Sequence, residues 1–220
     1  LQREGRPLTV AATTRKLELP LSAPALQEIL DCGRYRESTE SYIARPLGID
    51  KDKGLLRFEL VTEAALGRPS LVSVWLQAIR AISLTATATP CLAVLLYGLW
   101  ARRPIELFVA CAALLGALVL QVSVNLWNDV EDYRRLIDLP GTFGGAGIIQ
   151  KGWLSARTVR GVAITCLILG ILLGVPAFVR APLELSLIGL LALVGTAGYS
   201  GRPFGFKYKA LGDLTVLLLC

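Results

Sequence analysis

A long apolar segment ends in the run Asn125-Leu-Trp-Asn128-Asp129-Val-Glu131-Asp132-Tyr-Arg134-Arg135-Leu-Ile-Asp138. Carboxylates and amides are costly to place at a membrane boundary, so this cluster predicts a functional site. At about 100° per residue of an α-helix, four of its oxygen-bearing side chains share one face, because their spacings are i+3, i+4 and i+7. They are Asn125, Asn128, Asp129 and Asp132. Such a face suits a hard divalent cation, of which Mg²⁺ is the expected one.

The composition indicates a membrane protein. The chain has 220 residues, of which 54% are hydrophobic, more than an ordinary soluble domain contains. Its formal net charge is +6, with 23 Lys and Arg against 17 Asp and Glu. In a membrane protein this excess indicates basic cytoplasmic loops rather than nucleic-acid binding, and a lipid or phosphorylated substrate is the expected anionic partner.

Two residue types narrow the possible chemistry. Histidine is absent, which excludes histidine-ligated metal sites, histidine general bases and Ser-His-Asp triads. Three of the five cysteines, Cys91, Cys111 and Cys166, lie inside apolar segments, and no Cys-x-x-Cys pair occurs. The cysteines therefore predict small buried hydrophobic side chains rather than a zinc site or a disulfide framework.

Four apolar spans predict an all-α, multi-span transmembrane helix bundle. They cover about 81–101, 104–126, 160–180 and 181–200, each close to the roughly 20 residues that cross a bilayer as a helix. A fifth span begins after Asp213 and reaches the end of the sequence. Because the chain starts with Leu, lacks Met and ends in an apolar run, we expect it to be a fragment of a longer protein.

The first 66 residues are mixed and polar, and no chemical motif is evident in them. Pro24 to Asp31 predicts a short helix, and the partial alternation from Leu55 to Val61 predicts a strand. We expect residues 1–66 to be a cytoplasmic extension or the tail of a preceding domain. Residues 67–220 are then predicted to be the truncated N-terminal half of a membrane domain.

Loop charge predicts the orientation of the spans. The basic residues concentrate after span two and after span four, so both groups fall on one side of the membrane. They are Arg134, Arg135, Lys151, Arg157, Arg160, Arg202, Lys207 and Lys209. The positive-inside rule then places the N-terminus and the Asp-rich loop in the cytoplasm of a multi-pass protein of the cell membrane.

The acids and bases after span two together suit a diphosphate. Mg²⁺ binds through one or two carboxylates and the substrate phosphates, while Arg and Lys neutralise the remaining charge. No protein nucleophile is needed when the diphosphate simply leaves, because neutralising the leaving group lowers the barrier.

At these residues the segment resembles the first Asp-rich motif of the UbiA-type intramembrane prenyltransferases. Asn128, Asp129 and Asp132 match the motif, and the longer spacing to Asp138 is similar to the 1,4-dihydroxy-2-naphthoate polyprenyltransferase branch. Three further stretches resemble that branch in the same order: 80–86 at the first helix, 150–155 before the third, and 199–213 before the fifth. Ala81 stands where the branch usually has Pro, and 144–149 lacks an Arg often found there.

The resemblance implies transfer of a polyprenyl group from its diphosphate to an aromatic acceptor, here 1,4-dihydroxy-2-naphthoate in menaquinone biosynthesis, with Mg²⁺. It implies that five residues serve the metal: Asn125, Asn128, Asp129, Asp132 and Asp138. It implies that the diphosphate meets Arg134, Arg135 and Lys151, with Arg202 and Lys207 as further candidates. Asp129, Asp132, Arg134, Arg135 and Lys151 form the predicted catalytic set. The family's second Asp-rich motif would follow beyond this chain, so the fragment alone is expected to be inactive.

Other functions remain open at this point. A UbiA-type enzyme could use a different aromatic acceptor, and a cation-coupled transporter could use Asp129 and Asp132 to bind its ion. A non-catalytic homologue is a third possibility. A CDP-alcohol phosphotransferase is disfavoured because the Asp-Gly and Ala-Arg pattern of that class does not follow Asp132.

Overall fold

The computed structural model describes residues 15–37, 40–140, 142 and 145–200, and the backbone alone for 192–200. The predictions made for Arg202, Lys207, Lys209, Asp213 and the fifth span lie outside these residues.

An antiparallel sheet and one helix form the N-terminal region. The elements are β1 (Arg15–Pro20), α1 (Pro24–Cys32), β2 (Arg34–Glu37), β3 (Glu40–Asp50) and β4 (Leu55–Val61), with strand order β1-β4-β3-β2. The predicted strand and short helix are confirmed at β4 and α1. Alternation along β4 buries Leu56, Phe58 and Leu60 in the same core as Leu26 and Leu30 of α1. The N-terminal region is therefore a folded unit, which its composition had left open.

The remaining elements are helices. They are α2 (Leu71–Ala78), α3 (Leu84–Trp100), α4 (Leu107–Arg134), α5 (Ala156–Arg180) and α6 (Pro182–Ser200), with short 3₁₀ turns at Glu63–Ala65 and Ala81–Ser83. Three segments among the described residues, Ala81–Trp100, α4 and α5, are long and apolar enough to cross a membrane. The predicted multi-span helical bundle is confirmed at this level, and α6 covers the predicted fourth span.

Two helices extend beyond their predicted apolar spans. α4 continues past Leu126 to Arg134, so the acidic run from Asn125 to Asp132 lies on a helix, as its spacing predicted. α5 begins at Ala156, before the third apolar span, where the side chain of Ser155 accepts the backbone N–H of Thr158 at 3.1 Å. A hydroxyl N-cap of this kind satisfies one of the amides left free at a helix start.

Two glycines allow α4 and α5 to approach closely. A Cβ added to Gly116 would lie 3.1 Å from the backbone oxygen of Gly170, and one added to Gly170 would lie 2.6 Å from Leu120. Small residues at such contacts permit close packing of membrane helices, where lipid offers no hydrophobic driving force. This contact sets the distance between the two helices that flank the Asp-rich loop.

One core joins the N-terminal region to the ends of α4 and α5. Leu126, Val130 and Tyr133 form a buried stripe along α4, and they share the core with α1, β4 and the first turns of α5. The N-terminal region therefore lies at the same end of the helices as the Asp-rich run. The division of the chain at residue 66 stays a prediction.

Replacing Gly170 with Ala should destabilise the α4–α5 pair by about 1–3 kcal/mol, because the new methyl group overpacks the contact with Leu120 and the Gly116 carbonyl. The matched control is Gly174→Ala in the same helix, where an added Cβ meets nothing within 4 Å. Thermal unfolding in detergent should show a loss for Gly170→Ala and none for Gly174→Ala. Equal unfolding temperatures for the two variants would contradict the packing.

Candidate functional site

The polar face predicted for α4 is buried at the end of the helix. Asn125, Asp129 and Asp132 are 6%, 1% and 4% exposed, and Asn128 is half-buried. Buried carboxylates and amides must be compensated by hydrogen bonds or opposite charge. The partners of each side chain therefore indicate its role.

Asn125 connects α4 to the start of the first span through hydrogen bonds. Its Nδ2 donates to the backbone oxygen of Ile79 at 3.1 Å and to Oγ of Ser83 at 2.9 Å. Its Oδ1 accepts from Nε2 of Gln121 at 3.4 Å. This network gives the amide a positioning role, whereas its role as a metal ligand remains a prediction.

Asp129 has a partner on each carboxylate oxygen. Its Oδ1 forms an ion pair with the guanidinium of Arg80, and its Oδ2 accepts the backbone N–H of Ala146 at 3.1 Å. Arg80 sits just before the first span with a positive φ of 52°, a strained conformation for a residue with a side chain. Asp129 thus connects the first span, α4 and the Asp-rich loop at a single point.

A left-handed turn brings Asp138 back to the end of α4. The backbone N–H groups of Ile137 and Asp138 donate to the carbonyl of Asp132 at 3.0 and 3.3 Å, and Leu136 has a φ of 57°. Together with the N–H of Leu136 on the carbonyl of Tyr133 at 3.0 Å, this is the Schellman pattern of a helix C-terminus. The turn accounts physically for the long spacing between Asp132 and Asp138.

Asp138 is held in place from the loop. It is 4% exposed, and its Oδ1 accepts from Nε2 of Gln150 at 3.2 Å. A Cβ at Gly145 would lie 2.6 Å from its Oδ2, and Gly145 has a φ of 51°. Both the close approach and the backbone conformation require glycine at this position.

The three cations predicted for the diphosphate have different surroundings. Arg134 donates from Nε to Oδ1 of Asp31 at 2.8 Å, and its Nη2 lies 2.7 Å from the same oxygen in an ion pair. Arg135 Nε lies 3.7 Å from Glu131 on the same helix. The Lys151 ammonium lies 4.6 Å from the centre of the Trp153 ring, which is a cation–π contact. Because the ring has no formal charge, this contact does not neutralise the ammonium.

Comparison with curated proteins agrees with the motifs. The chain is 27% identical over 152 residues to a 1,4-dihydroxy-2-naphthoate octaprenyltransferase of Bacillus subtilis (strain 168), a match covering 69% of this chain and 49% of that protein. It is 29% identical over 127 residues to the protein of the same name from Escherichia coli (strain K12), covering 54% of this chain and 41% of that protein.

The chain is therefore similar to two proteins named 1,4-dihydroxy-2-naphthoate octaprenyltransferase. The resemblance predicted from its motifs is thereby confirmed, and the chain spans about half the length of these relatives. No family model matches the chain. No solved structure matches it either.

Prenyltransferases of this kind generally use a divalent metal, and the acids at the end of α4 are the candidate ligands for it. Among the described residues no three acidic or cysteine side chains are grouped so as to hold a metal by themselves. Mg²⁺ takes only one or two protein carboxylates when the substrate phosphates supply the other oxygens. Asp132 and Asp138, whose backbones meet at the Schellman turn, supply the two carboxylates that this smaller requirement would need.

Four residues of this site were not predicted from the sequence: Arg80, Gln150, Asp31 and Ala146. Arg80 and Gln150 were recognised only as the first residues of the family-like stretches 80–86 and 150–155. Asp31 and Ala146 carried no signal, because their contacts join residues 103 and 17 positions apart. The strongest available signal was for Arg80, since a basic residue at the start of a span can compensate an acid at the end of the next one.

Breaking the Arg80–Asp129 pair should destabilise the fold, because removing one partner leaves the other charge uncompensated in a buried position. We expect Arg80→Gln to lower the free energy of unfolding by about 3 kcal/mol. Glu106→Gln, which breaks the exposed pair between Glu106 and Arg180 at the other end of the helices, should change it by less than about 1 kcal/mol. Thermal or denaturant unfolding in detergent measures both, and similar losses for the two variants would disprove the assignment.

Proposed function

We propose that the protein to which this chain belongs is an integral membrane prenyltransferase that transfers a polyprenyl group from its diphosphate to an aromatic acceptor, 1,4-dihydroxy-2-naphthoate. The observation that carries this proposal is the buried end of α4, where the Schellman turn brings the backbone of Asp138 back to the carbonyl of Asp132 and both acids are 4% exposed. The printed names of the two relatives support the reaction and the acceptor. Since the chain spans about half of each relative, the activity is proposed for the whole protein.

In this proposal Asp132 and Asp138 hold the Mg²⁺ that accompanies the diphosphate, with Asn128 beside them on the same face. The ion, when bound, neutralises charge on the departing diphosphate. The carboxylates are 4% exposed, and a poorly hydrated site strengthens their electrostatic interactions. Asn125 and Asp129, whose contacts join α4 to the first span, keep this face in position.

Lys151 and Arg135 are proposed to bind the diphosphate oxygens. Lys151 follows Gln150, the residue that donates to Asp138, so its ammonium belongs to the same loop as the proposed metal site. Arg135 begins the turn that leads to Asp138. Arg202 and Lys207, outside the described residues, are proposed to add positive charge from the loop predicted after the fourth span.

The orientation is proposed from loop charge. With the N-terminal region and the Asp-rich loop at one end of the helices, and the basic residues Arg134, Arg135, Arg157 and Arg160 at that same end, the positive-inside rule places this end in the cytoplasm. A soluble aromatic acceptor would then reach the site from the cytoplasm, while the polyprenyl chain stays among the apolar helices.

Removing either of the two carboxylates proposed to bind the metal should abolish turnover without unfolding the protein. The whole protein in lipid, supplied with Mg²⁺, a polyprenyl diphosphate and a panel of aromatic acceptors, should form a prenylated product. Asp132→Asn and Asp138→Asn should each lower the rate by at least about 100-fold, whereas Asp52→Asn, an exposed acid in the turn before β4, should leave it unchanged.

Four outcomes decide between the possibilities. Product with 1,4-dihydroxy-2-naphthoate supports the full proposal, and product only with another acceptor keeps the prenyltransferase while replacing the acceptor. Full activity of both Asp132→Asn and Asp138→Asn would remove these residues from the metal site. Absence of product with every acceptor would refute the proposed prenyltransferase activity.

A further inference from the structure

Arg134 faces the N-terminal region rather than the acidic face of α4. Its Nε donates to Oδ1 of Asp31 at 2.8 Å, its Nη2 lies 2.7 Å from the same oxygen, and the two side chains are only 21% and 27% exposed. We infer that Arg134 is a positioning residue, through which the N-terminal region fixes the end of α4 that carries Asp132. The consequence for catalysis rests on the proposed function, whereas the mechanical link does not.

Apolar packing supports the same link. Leu126, Val130 and Tyr133 each follow a member of the polar set Asn125, Asp129 and Asp132 by one residue, so the two stripes lie about 100° apart on α4. The apolar stripe shares its core with Leu26, Ile29 and Leu30 of α1. Because both stripes belong to one rigid helix, the packing of α1 against one stripe restrains the position of the other.

The position of Asp31 within α1 indicates that the ion pair does more than stabilise α1. Asp31 lies in the last turn of the helix, where the macrodipole makes an acid unfavourable. Its charge is compensated by Arg134, 103 residues further along the chain. A charge-assisted contact between two partly buried groups is stronger than an exposed surface pair.

The ion pair also borders the turn that delivers Asp138. Arg134 is the last residue of α4, and the Schellman turn follows it directly, with the amides of Ile137 and Asp138 on the carbonyl of Asp132. Fraying of the last helical turn would break both of these bonds and separate Asp132 from Asp138. By holding Arg134, Asp31 holds the turn closed.

Hydrogen exchange at the amides of Ile137 and Asp138, measured without metal or diphosphate, tests the link directly. In the chain reconstituted in lipid, Asp31→Asn should speed exchange at these amides about five- to tenfold. The matched control is Glu37→Gln, which removes the acid of the exposed Arg15–Glu37 pair in the same region and should leave them unchanged. Unchanged exchange at the amides of Phe58 and Leu60 in β4 shows that the N-terminal region is still folded in each variant.

Reversing the pair completes the test. The double variant Asp31→Arg with Arg134→Asp should restore slow exchange relative to either single variant, because the opposite charges again face each other. Wild-type exchange rates in Asp31→Asn, or a double variant as fast as the singles, would overturn the inference.

A kinetic arm separates this inference from the proposed function. In the whole protein, Asp31→Asn should raise the Mg²⁺ concentration needed for half-maximal product formation at least threefold, while the rate at saturating Mg²⁺ changes less. If Arg134 instead bound the diphosphate, Arg134→Lys would support turnover better than Asp31→Asn and exchange would be unaffected by Asp31. Absence of any product from the wild type would refute the proposed function and leave the exchange result standing.

Discussion

Burial of charge at the end of a membrane helix is the constraint on which this structure depends. Asp129 is 1% exposed, and an uncompensated carboxylate in that position would cost several kcal/mol. Its oxygens meet the guanidinium of Arg80 and the amide of Ala146, so the first span, α4 and the Asp-rich loop converge on one carboxylate. The unusual left-handed backbone of Arg80 is explained by this convergence, because the surrounding contacts hold it there.

Part of the polar face of α4 holds the helix in position. Asn125 and Asp129 are committed to partners on neighbouring segments, and these contacts fix where the helix ends. One turn later the Schellman turn brings the backbone of Asp138 to the carbonyl of Asp132, and the proposed metal–diphosphate site rests on these two acids. On the adjacent stripe, Tyr133 and its apolar neighbours join the core of the N-terminal region.

Periodic patterns predicted the parts of this architecture that depend on neighbouring residues. The helical spacing of Asn125, Asp129 and Asp132 predicted their common face, and alternation predicted β4. Contacts between distant residues could not be predicted in this way: Arg80 with Asp129 lies 49 positions apart and Arg134 with Asp31 lies 103 apart. Hydropathy marked only the apolar part of α4, up to about Leu126, whereas the helix continues through buried, paired acids to Arg134. The left-handed turn at Leu136 had no local signal, since glycine is the residue that usually marks it.

Binding of a non-reactive polyprenyl diphosphate analogue to the whole protein, with and without Mg²⁺, tests the central claim most directly. Titration calorimetry in lipid nanodiscs should show binding that requires Mg²⁺ and is lost on adding a chelator, and Asp132→Asn should weaken it as strongly as chelation does. Equal affinity in the presence of Mg²⁺ and of chelator, with no effect of Asp132→Asn, would contradict the assignment of Asp132 and Asp138 to a metal–diphosphate site.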